Sequence, residues 1–189
     1  LLLRQDNADQ RLTKIGYEIG LISQERYDKF VNKYKLVEKE IERVSNTFVG
    51  NTEKVQTLLD EYHSTRLVSG ICMAELIKRP ELSYEILKPL DEKRSDLPED
   101  VKDQVNINLK YEGYIKRQEK QVEQFHKLEK KKIPSDIDYN DIGSLRLEAI
   151  QKLNDIRPES VGQAARISGV SPSDISVLLV YLEQYNRTK

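Results

Sequence analysis

The stretch that decides the fold reads VGQAARISGVSPSDISVLLVYL and spans residues 161–182. Gly169 stands where a helix has to stop, because glycine adopts the left-handed conformation of a turn without steric cost. Ser171 and Asp174 then have the spacing of a capping box around Pro172, a residue suited to the first turn of a new helix. The run that follows is almost entirely apolar, so this helix is expected to be mostly buried. The pattern predicts two helices joined by a tight turn, the order of elements in a helix-turn-helix.

The two helices and their turn form a helical hairpin, and the composition of its second helix indicates which kind of partner the hairpin binds. A helix that reads a nucleic-acid groove presents cations and amides to phosphates and bases. Here the polar positions include Ser173, Asp174, Ser176 and Glu183, and cations are few. A protein-docking unit is therefore favoured, with a helix-turn-helix nucleic-acid-binding regulator as the alternative. The apolar residues in excess of one buried face are the docking candidates Val177, Val180 and Tyr181. Packing of this surplus against the rest of the chain is the competing interpretation.

One more short helix is expected before this hairpin, with Ser144 as its cap. Its inward face carries Leu147, Ile150 and Leu153. Pro158 is expected to open the next helix, because the first helical position needs no N–H donor. Residues 135–189 are therefore predicted to form a compact C-terminal unit of three helices.

The preceding part, residues 1–134, is dominated by two long helical patterns. The first lies near residues 24–49 and has apolar residues at alternating steps of three and four, the spacing of a heptad seam. The seam consists of Tyr27, Phe30, Tyr34, Val37, Ile41, Val44 and Phe48. The second pattern lies near residues 98–131. We expect the two helices to pack antiparallel within the chain, and a structural coiled-coil adaptor that pairs with another chain is the alternative.

A short helix is also predicted near the start of the chain, capped by Asp6 or Asn7 and stopped by Gly20. Its apolar residues are predicted to face inward, and they are Leu12, Ile15 and Ile19. All these patterns have helical spacing and no pair of segments has the pattern of a sheet. The sequence therefore predicts an all-α fold with two long antiparallel helices, shorter helices and a compact C-terminal end.

The net charge of −1 hides a local contrast. Residues 101–132 carry 9 Lys and Arg against 5 Asp and Glu, whereas both flanking parts are acidic. Such a basic stripe is typical of phosphate contacts, but it is also typical of the solvated face of a long helix. Within it, Gly113 interrupts a helix at a cost of about 1 kcal/mol relative to alanine. Either a partner or a neighbouring element of the same domain is expected to approach it closely.

The sequence contains no constellation of catalytic or cofactor-binding residues. There is no glycine-rich phosphate-binding pattern, and His63 and His126 stand far apart without other ligands nearby. Cys72 is the single cysteine, which excludes an internal disulfide and fits a reducing compartment. No apolar run approaches the roughly 20 residues that span a membrane. The chain begins without methionine, so we expect it to be a piece of a longer protein.

Several short stretches together resemble one family, the FAD-binding large subunit of the bacterial tRNA uridine 5-carboxymethylaminomethyl modification enzyme, also called glucose-inhibited division protein A (GidA/MnmG). The matching stretches are Leu2-Leu3-Arg4, Asp6-Asn7-Ala8-Asp9, Arg11-Leu12-Thr13, Lys78-Arg79-Pro80, Ser83-Tyr84, Lys110-Tyr111-Glu112-Gly113-Tyr114-Ile115, Arg117-Gln118, Ile133-Pro134, Asp138-Tyr139, Arg157-Pro158 and the run from Gln163 to Leu182. Their order and separation match across the whole chain. Each stretch is weak by itself, but the set is specific.

The resemblance implies that this chain is the helical C-terminal region of that enzyme. It implies FAD and NADH for the full-length protein and none in this part, because the whole dinucleotide-binding domain is missing here. It also implies a cytoplasmic protein that acts as a homodimer with a GTPase of the MnmE family to modify the wobble uridine of tRNA. This part is expected to be non-catalytic and to dock the GTPase through the hairpin.

The resemblance further implies a share in tRNA binding. The candidate tRNA contacts are Arg4, Arg11, Lys116, Arg117, Arg157 and Arg166. Arg4 and Arg11 have a competing interpretation, in which they pair with Asp6 and Asp9. Gly113 and Gly169 are assigned to helix packing or to turns. Tyr111 and Tyr114 are assigned to packing rather than to base stacking.

Overall fold

The computed structural model describes residues 1–188, with side chains described through Tyr185. Its regular elements are almost all helices, so the predicted all-α class is confirmed. The chain divides into two compact units, residues 1–116 and residues 117–189.

The first unit begins with α1 (Ala8–Glu18) and the long helix α2 (Gln24–Asn46). The elements that follow are β1 (Phe48–Val49), α3 (Glu53–Glu61), β2 (Ile71–Cys72), α4 (Met73–Ile77), a 3-10 turn at Lys88–Leu90, and the start of the second long helix α5 (Glu99–Lys130). The two short strands pair antiparallel, with Phe48 opposite Cys72. Helices α1 and α4 both pack against α2.

Local sequence signals explain where these helices begin and end. The Ser23 hydroxyl accepts a hydrogen bond from the N–H of Arg26 at the start of α2, and Thr52 caps α3 in the same way. Gly20 follows α1 with a φ of +79°, the left-handed conformation that glycine tolerates best. The predicted stop at Gly20 is confirmed, whereas Asn7 occupies the N-cap of α1 without a side-chain capping hydrogen bond.

The core of the first unit is aliphatic and lies between α2, α3, α4 and the first turns of α5. Its fully buried members include Val37, Val44, Leu59, Met73, Leu76, Ile77, Leu87, Val101 and Val105. The helical assignment of residues 105–111, which alternate in polarity, is confirmed. The end of the predicted seam is wrong, because α2 stops at Asn46 and Phe48 is 70% exposed. Phe48 belongs to β1, where successive side chains point to opposite faces and Val49 takes the buried one.

The predicted inward face of α1 is also wrong. Leu12, Ile15 and Ile19 are each more than half exposed, and Thr13 is the buried residue of this helix. α1 approaches its neighbours with its smaller side chains, since a Cβ added at Gly16 would lie 2.8 Å from the Ile22 side chain. Helical periodicity identifies an apolar face, but it does not say whether that face is covered within the same unit.

The second unit contains the last part of α5, a 3-10 turn at Tyr139–Asp141, α6 (Leu147–Ile156), α7 (Val161–Ala165) and α8 (Pro172–Thr188). Its core is formed by Ile133, Ile137, Tyr139, Ile142, Leu145, Leu153, Val161, Ala164, Ile175, Leu178 and Leu182. The N–H of Ile133 donates to the carbonyl of Glu159, and the N–H of Val161 donates to the carbonyl of Lys131. These bonds tie the chain after α5 to the start of α7.

Two helix starts in this unit differ from the prediction. Arg146, not Ser144, occupies the N-cap of α6, and its side chain does not cap the helix. Pro158 precedes α7 without opening it, because Ser160 caps that helix by accepting from the N–H of Gln163. A serine hydroxyl accepts a hydrogen bond from a backbone N–H of the first turn that has no carbonyl partner in the helix. Proline is only compatible with the first helical position, because no N–H is needed there.

The division between the units falls within α5, between Lys116 and Arg117. The sequence prediction placed the boundary at residue 134, after that helix ends. The first core uses α5 residues up to Leu109, and Leu128 packs against the second core. A single continuous helix thus contributes to both units. A prediction that places the domain boundary where a helix ends does not find such a division.

Candidate docking site in the C-terminal unit

The turn before α8 is held in place by three residues from different parts of the second unit. Gly169 has a φ of +97°, so the prediction that it serves as a turn residue agrees with the backbone. The Arg146 guanidinium donates to the carbonyl of Gly169 at 2.9 Å and to the Asp174 carboxylate at 2.7 Å. The position of the first turn of α8 is therefore fixed relative to α6.

Asp174 is the centre of this arrangement. Its carboxylate accepts from the N–H of Ser171 at 2.8 Å, and the Ser171 hydroxyl accepts from the N–H of Asp174 at 3.3 Å. The predicted capping box is therefore confirmed. The hydrogen bond from Arg146, together with those from Ser171, holds the pKa of Asp174 well below its usual range despite its burial.

The fixed end of α8 borders an open groove of about 550 Å³. The three docking candidates chosen from the sequence, Val177, Val180 and Tyr181, all line it, and Ile142 completes its apolar lining. Val180 is 57% exposed, whereas Leu178 is fully buried in the core. Some apolar residues of α8 therefore pack in the core and others line this groove. The apolar side chains in excess of one buried face are only partly buried.

The polar lining of the groove carries one formal charge. The lining polar residues are Asp141, Ser144, Ser176 and Gln184, and Gly143 supplies backbone. Asp141 and Ser144 are exposed and lie on the segment that precedes α6. No described side chain that lines this groove is a cation. The groove is suited to an apolar group and not to a phosphate.

Sequence reasoning missed the role of Gly162, which is buried at the start of α7. A Cβ at this position would lie 2.9 Å from the Cα of Glu129 on α5 and would also overlap the Glu129 carboxyl group. The Arg166 side chain forms an ion pair with that carboxyl group. Glycine is therefore required for α7 to approach α5 this closely. The available signal was a glycine inside the helix that was predicted to begin at Pro158.

Replacing Gly162 with alanine is expected to lower the free energy of unfolding of the second unit by about 1–3 kcal/mol, because the added methyl group meets a helix backbone. Urea unfolding measured by circular dichroism tests this. Gly143→Ala is the matched control, since a Cβ there meets nothing within 4 Å, and its effect should stay within about 0.5 kcal/mol. Equal effects of the two substitutions would contradict the close approach.

Two of the candidate tRNA contacts lie together in the second unit. Arg157, Arg166 and Lys152 line one concave surface, which encloses a volume of about 720 Å³. Arg157 has a φ of +50°, a conformation uncommon for a residue with a side chain. Its guanidinium donates to the carbonyl of Ile137 at 2.7 Å and lies 5.5 Å from the centre of the Tyr139 ring. The surface therefore combines three cations, two of which also have partners inside the unit, with one carboxylate, that of Glu159.

The other candidate cations belong to the first unit or to the start of the second. Arg4 pairs with Asp6 at 2.9 Å, as in the competing interpretation, and lies 5.3 Å from the centre of the Tyr111 ring. Arg11 donates to the side chain of Asn7 at 2.9 Å instead of pairing with Asp9. Lys116 pairs with Glu112 at 2.5 Å one helical turn before it.

Arg117, the sixth candidate, is exposed on α5. Tyr111 and Tyr114, assigned to packing from the sequence, are 40% and 54% exposed. A Cβ at Gly113 would meet nothing within 4 Å. Of the two alternatives for Gly113, a tight contact of this position inside its own domain is therefore not found.

Stretches that are distant in the sequence meet beside this surface. Lys78 pairs with Glu112 at 2.8 Å. The Lys110 ammonium group donates to the carbonyls of Arg79 at 2.8 Å and Leu82 at 2.6 Å. Two of the motifs on which the family resemblance depends thus form one structural unit, with Lys110 satisfying carbonyls after α4 that have no helical partner.

The described residues do not fit a dinucleotide. FAD and NADH bind where a strand is followed by a glycine-rich turn and a helix, whereas β2 runs directly into α4. No group of three or more potential metal-ligating side chains occurs among the described residues. Within residues 1–188, no helix has the length and apolarity to cross a membrane.

Comparisons with known proteins agree with this architecture. Residues 24–119 match the C-terminal helical domain of the tRNA modifying enzyme MnmG/GidA, and residues 121–189 match the C-terminal helical bundle of the same enzyme. A solved structure of Aquifex aeolicus GidA superimposes with a TM-score of 0.58 at 37% identity. It covers 95% of this chain, which spans 27% of that one.

Curated relatives extend the match over the entire chain. The tRNA uridine 5-carboxymethylaminomethyl modification enzyme MnmG of Lachnoclostridium phytofermentans is 61% identical over 100% of this chain. The enzyme of the same name from Caldicellulosiruptor saccharolyticus is 60% identical over 97% of it. The chain spans about 30% of the length of these relatives. It therefore belongs to the MnmG/GidA family of tRNA modifying enzymes and corresponds to that family's helical C-terminal region.

Proposed function

We propose that this chain is a non-catalytic docking region of a cytoplasmic tRNA wobble-uridine modification enzyme. Its C-terminal unit binds the partner GTPase through the groove beside α8. One observation carries the proposal: the three apolar residues in surplus on α8, Val177, Val180 and Tyr181, line a single open groove. Exposed apolar surface bordered by polar residues is typical of protein contacts.

The arrangement of the second unit supports a rigid docking surface. Arg146 and Asp174 fix the start of α8, and Leu178 and Leu182 anchor the same helix in the core. The groove residues therefore project from an element whose position is set before the partner binds. A preformed surface loses less conformational entropy on association, so more of the burial energy contributes to affinity.

Val180→Asp is expected to weaken binding of the purified partner GTPase at least tenfold, which corresponds to about 1.4 kcal/mol. The reason is that a carboxylate would have to be desolvated in an apolar contact. Isothermal titration calorimetry gives the affinity, and a thermal melt checks that folding is unchanged.

Leu147→Asp is the matched control for this experiment. Leu147 was predicted to face inward, but it stands at the first position of α6, is 86% exposed and does not line the groove. Its replacement should leave the affinity within about twofold, since a charge outside a contact costs little. Unchanged affinity in Val180→Asp, with an unchanged melt, would show that the groove is not the docking surface.

A second contribution, to tRNA binding, is favoured by the concave surface that Lys152, Arg157 and Arg166 line. Their charges fit phosphate oxygens, which supply most of the affinity for nucleic acids. Arg4, Arg11, Lys116 and Arg117 remain candidates in the rest of the chain.

Two double variants compare these regions: Lys152→Ala with Arg166→Ala, and Lys116→Ala with Arg117→Ala. We expect the first pair to reduce the slope of log affinity against log salt by about 0.7–0.9 for each phosphate that the protein no longer neutralises. The second pair tests the candidates on α5, and the two variants are matched in that Arg166 pairs with Glu129 and Lys116 pairs with Glu112. Fluorescence titrations of tRNA at several salt concentrations measure the slopes. Slopes equal to that of the original chain in both variants would rule out these cations as phosphate ligands.

A further inference from the structure

The groove beside α8 has a chemical asymmetry that restricts what can occupy it. Its apolar lining consists of Val177, Val180 and Tyr181 on α8 together with Ile142. The segment before α6 adds the exposed carboxylate of Asp141 to the rim. Within the described side chains, Asp141 has no cation at ion-pair distance, whereas the carboxylates of Glu129, Asp174 and Glu183 in the same unit are each paired with one.

The surroundings of the rim strengthen this asymmetry. No lysine or arginine occurs between residues 133 and 145, the segment that carries Asp141. The nearest cation along the chain, Arg146, is committed to Asp174 and to the carbonyl of Gly169. Asp141 is therefore the one formal charge among the described side chains that line the groove, and the lining from α8 is mainly apolar.

Resting on the proposed docking function, we infer that the groove takes a short segment of the partner protein in which an aliphatic or aromatic side chain stands next to a lysine or arginine. The apolar side chain lies against Val177, Val180 and Tyr181, and the cation faces Asp141. The volume of about 550 Å³ accommodates one or two side chains and not a folded domain. Complementary charge at the rim selects the partner and sets the orientation of the segment.

The test uses the full chain and the purified partner GTPase, with Asp141→Lys and Asp141→Asn as variants. Asp141→Asn keeps the shape of the side chain and removes its charge. We expect Asp141→Lys to weaken binding at least tenfold at low ionic strength and Asp141→Asn to weaken it less. The affinities of the original chain and Asp141→Asn should converge at high salt, because an exposed ion pair is screened.

Asp155→Lys provides the charge-matched control, since Asp155 is exposed on α6 and does not line the groove. It should bind like the original chain. If Val180→Asp weakens binding and both Asp141 variants bind normally, the docking function stands and the inferred basic segment is wrong. If neither the Val180 nor the Asp141 variants change the affinity, both proposals fail. Tighter binding by Asp141→Lys would indicate an acidic ligand and would also overturn the inference.

Discussion

Replacing Arg43 with methionine is expected to lower the free energy of unfolding of the first unit by about 3–5 kcal/mol. The Arg43 guanidinium on α2 lies 2.6 Å from the Glu40 carboxylate and 2.5 Å from that of Asp91. Both carboxylates are almost completely buried. Glu40 also accepts a hydrogen bond from the Tyr84 hydroxyl at 2.6 Å.

The size of this effect follows from what the substitution leaves behind. Two buried carboxylates would lose the one cation that they share, and an unpaired buried charge costs far more than the intact ion pair contributes. The network also joins α2 to residues 84–91, so its loss should release that segment. Urea unfolding monitored by circular dichroism measures the change.

Lys39→Met is the control for the loss of a cation from α2. Lys39 is exposed four residues before Arg43, and its replacement should change stability by less than about 0.5 kcal/mol. A loss below about 1 kcal/mol in Arg43→Met would mean that water reaches Glu40 and Asp91 and that the network contributes little to folding.

In the second unit, Asp174→Asn is expected to cost about 2–3 kcal/mol at neutral pH. Asparagine keeps the shape of the side chain but loses the charge that strengthens the hydrogen bonds from Arg146 and Ser171. The half-exposed Arg146 side chain can turn to solvent, so the cost should be smaller than for Arg43. Thermal and urea unfolding of the two proteins give the difference.

The pH dependence of this difference is a sharper test than its size. The bond from Arg146 lowers the pKa of Asp174 in the folded chain below the unfolded value of about 3.9. A carboxyl group with a lowered folded pKa stabilises the protein above the unfolded pKa, and this contribution is lost as the pH falls through the folded pKa. The stability difference between the original chain and Asp174→Asn should therefore be constant from about pH 5 to 8 and shrink below about pH 4. A difference that is the same at pH 7 and pH 2 would contradict this account.

Signals that act within a few residues were sufficient to predict much of the fold. The stop at Gly20 and the capping box of Ser171 with Asp174 depend on hydrogen bonds or φ angles within one turn. Both long helices follow from apolar spacing, which is also local. The groove candidates on α8 were found because that helix carries more apolar residues than one buried face requires.

Features that depend on distant residues were not predictable in this way. The exposed face of α1 has the same periodicity as a buried one, so sequence alone assigned Leu12, Ile15 and Ile19 to the core. The need for glycine at position 162 arises from Glu129, which belongs to another helix. The pairing of Arg43 with Asp91 joins residues far apart in the chain, and nothing in the local pattern of either indicates it.

Hydrogen exchange of the chain with and without the partner GTPase, read by mass spectrometry, locates the docking surface. We expect slower exchange in residues 141–144 and 176–184, which contribute the lining of the groove, when the GTPase is added. Exchange in α3 and α4 of the first unit should be unchanged. Binding that protects other segments and leaves residues 141–144 and 176–184 unaffected would contradict the claim that this groove is the docking surface.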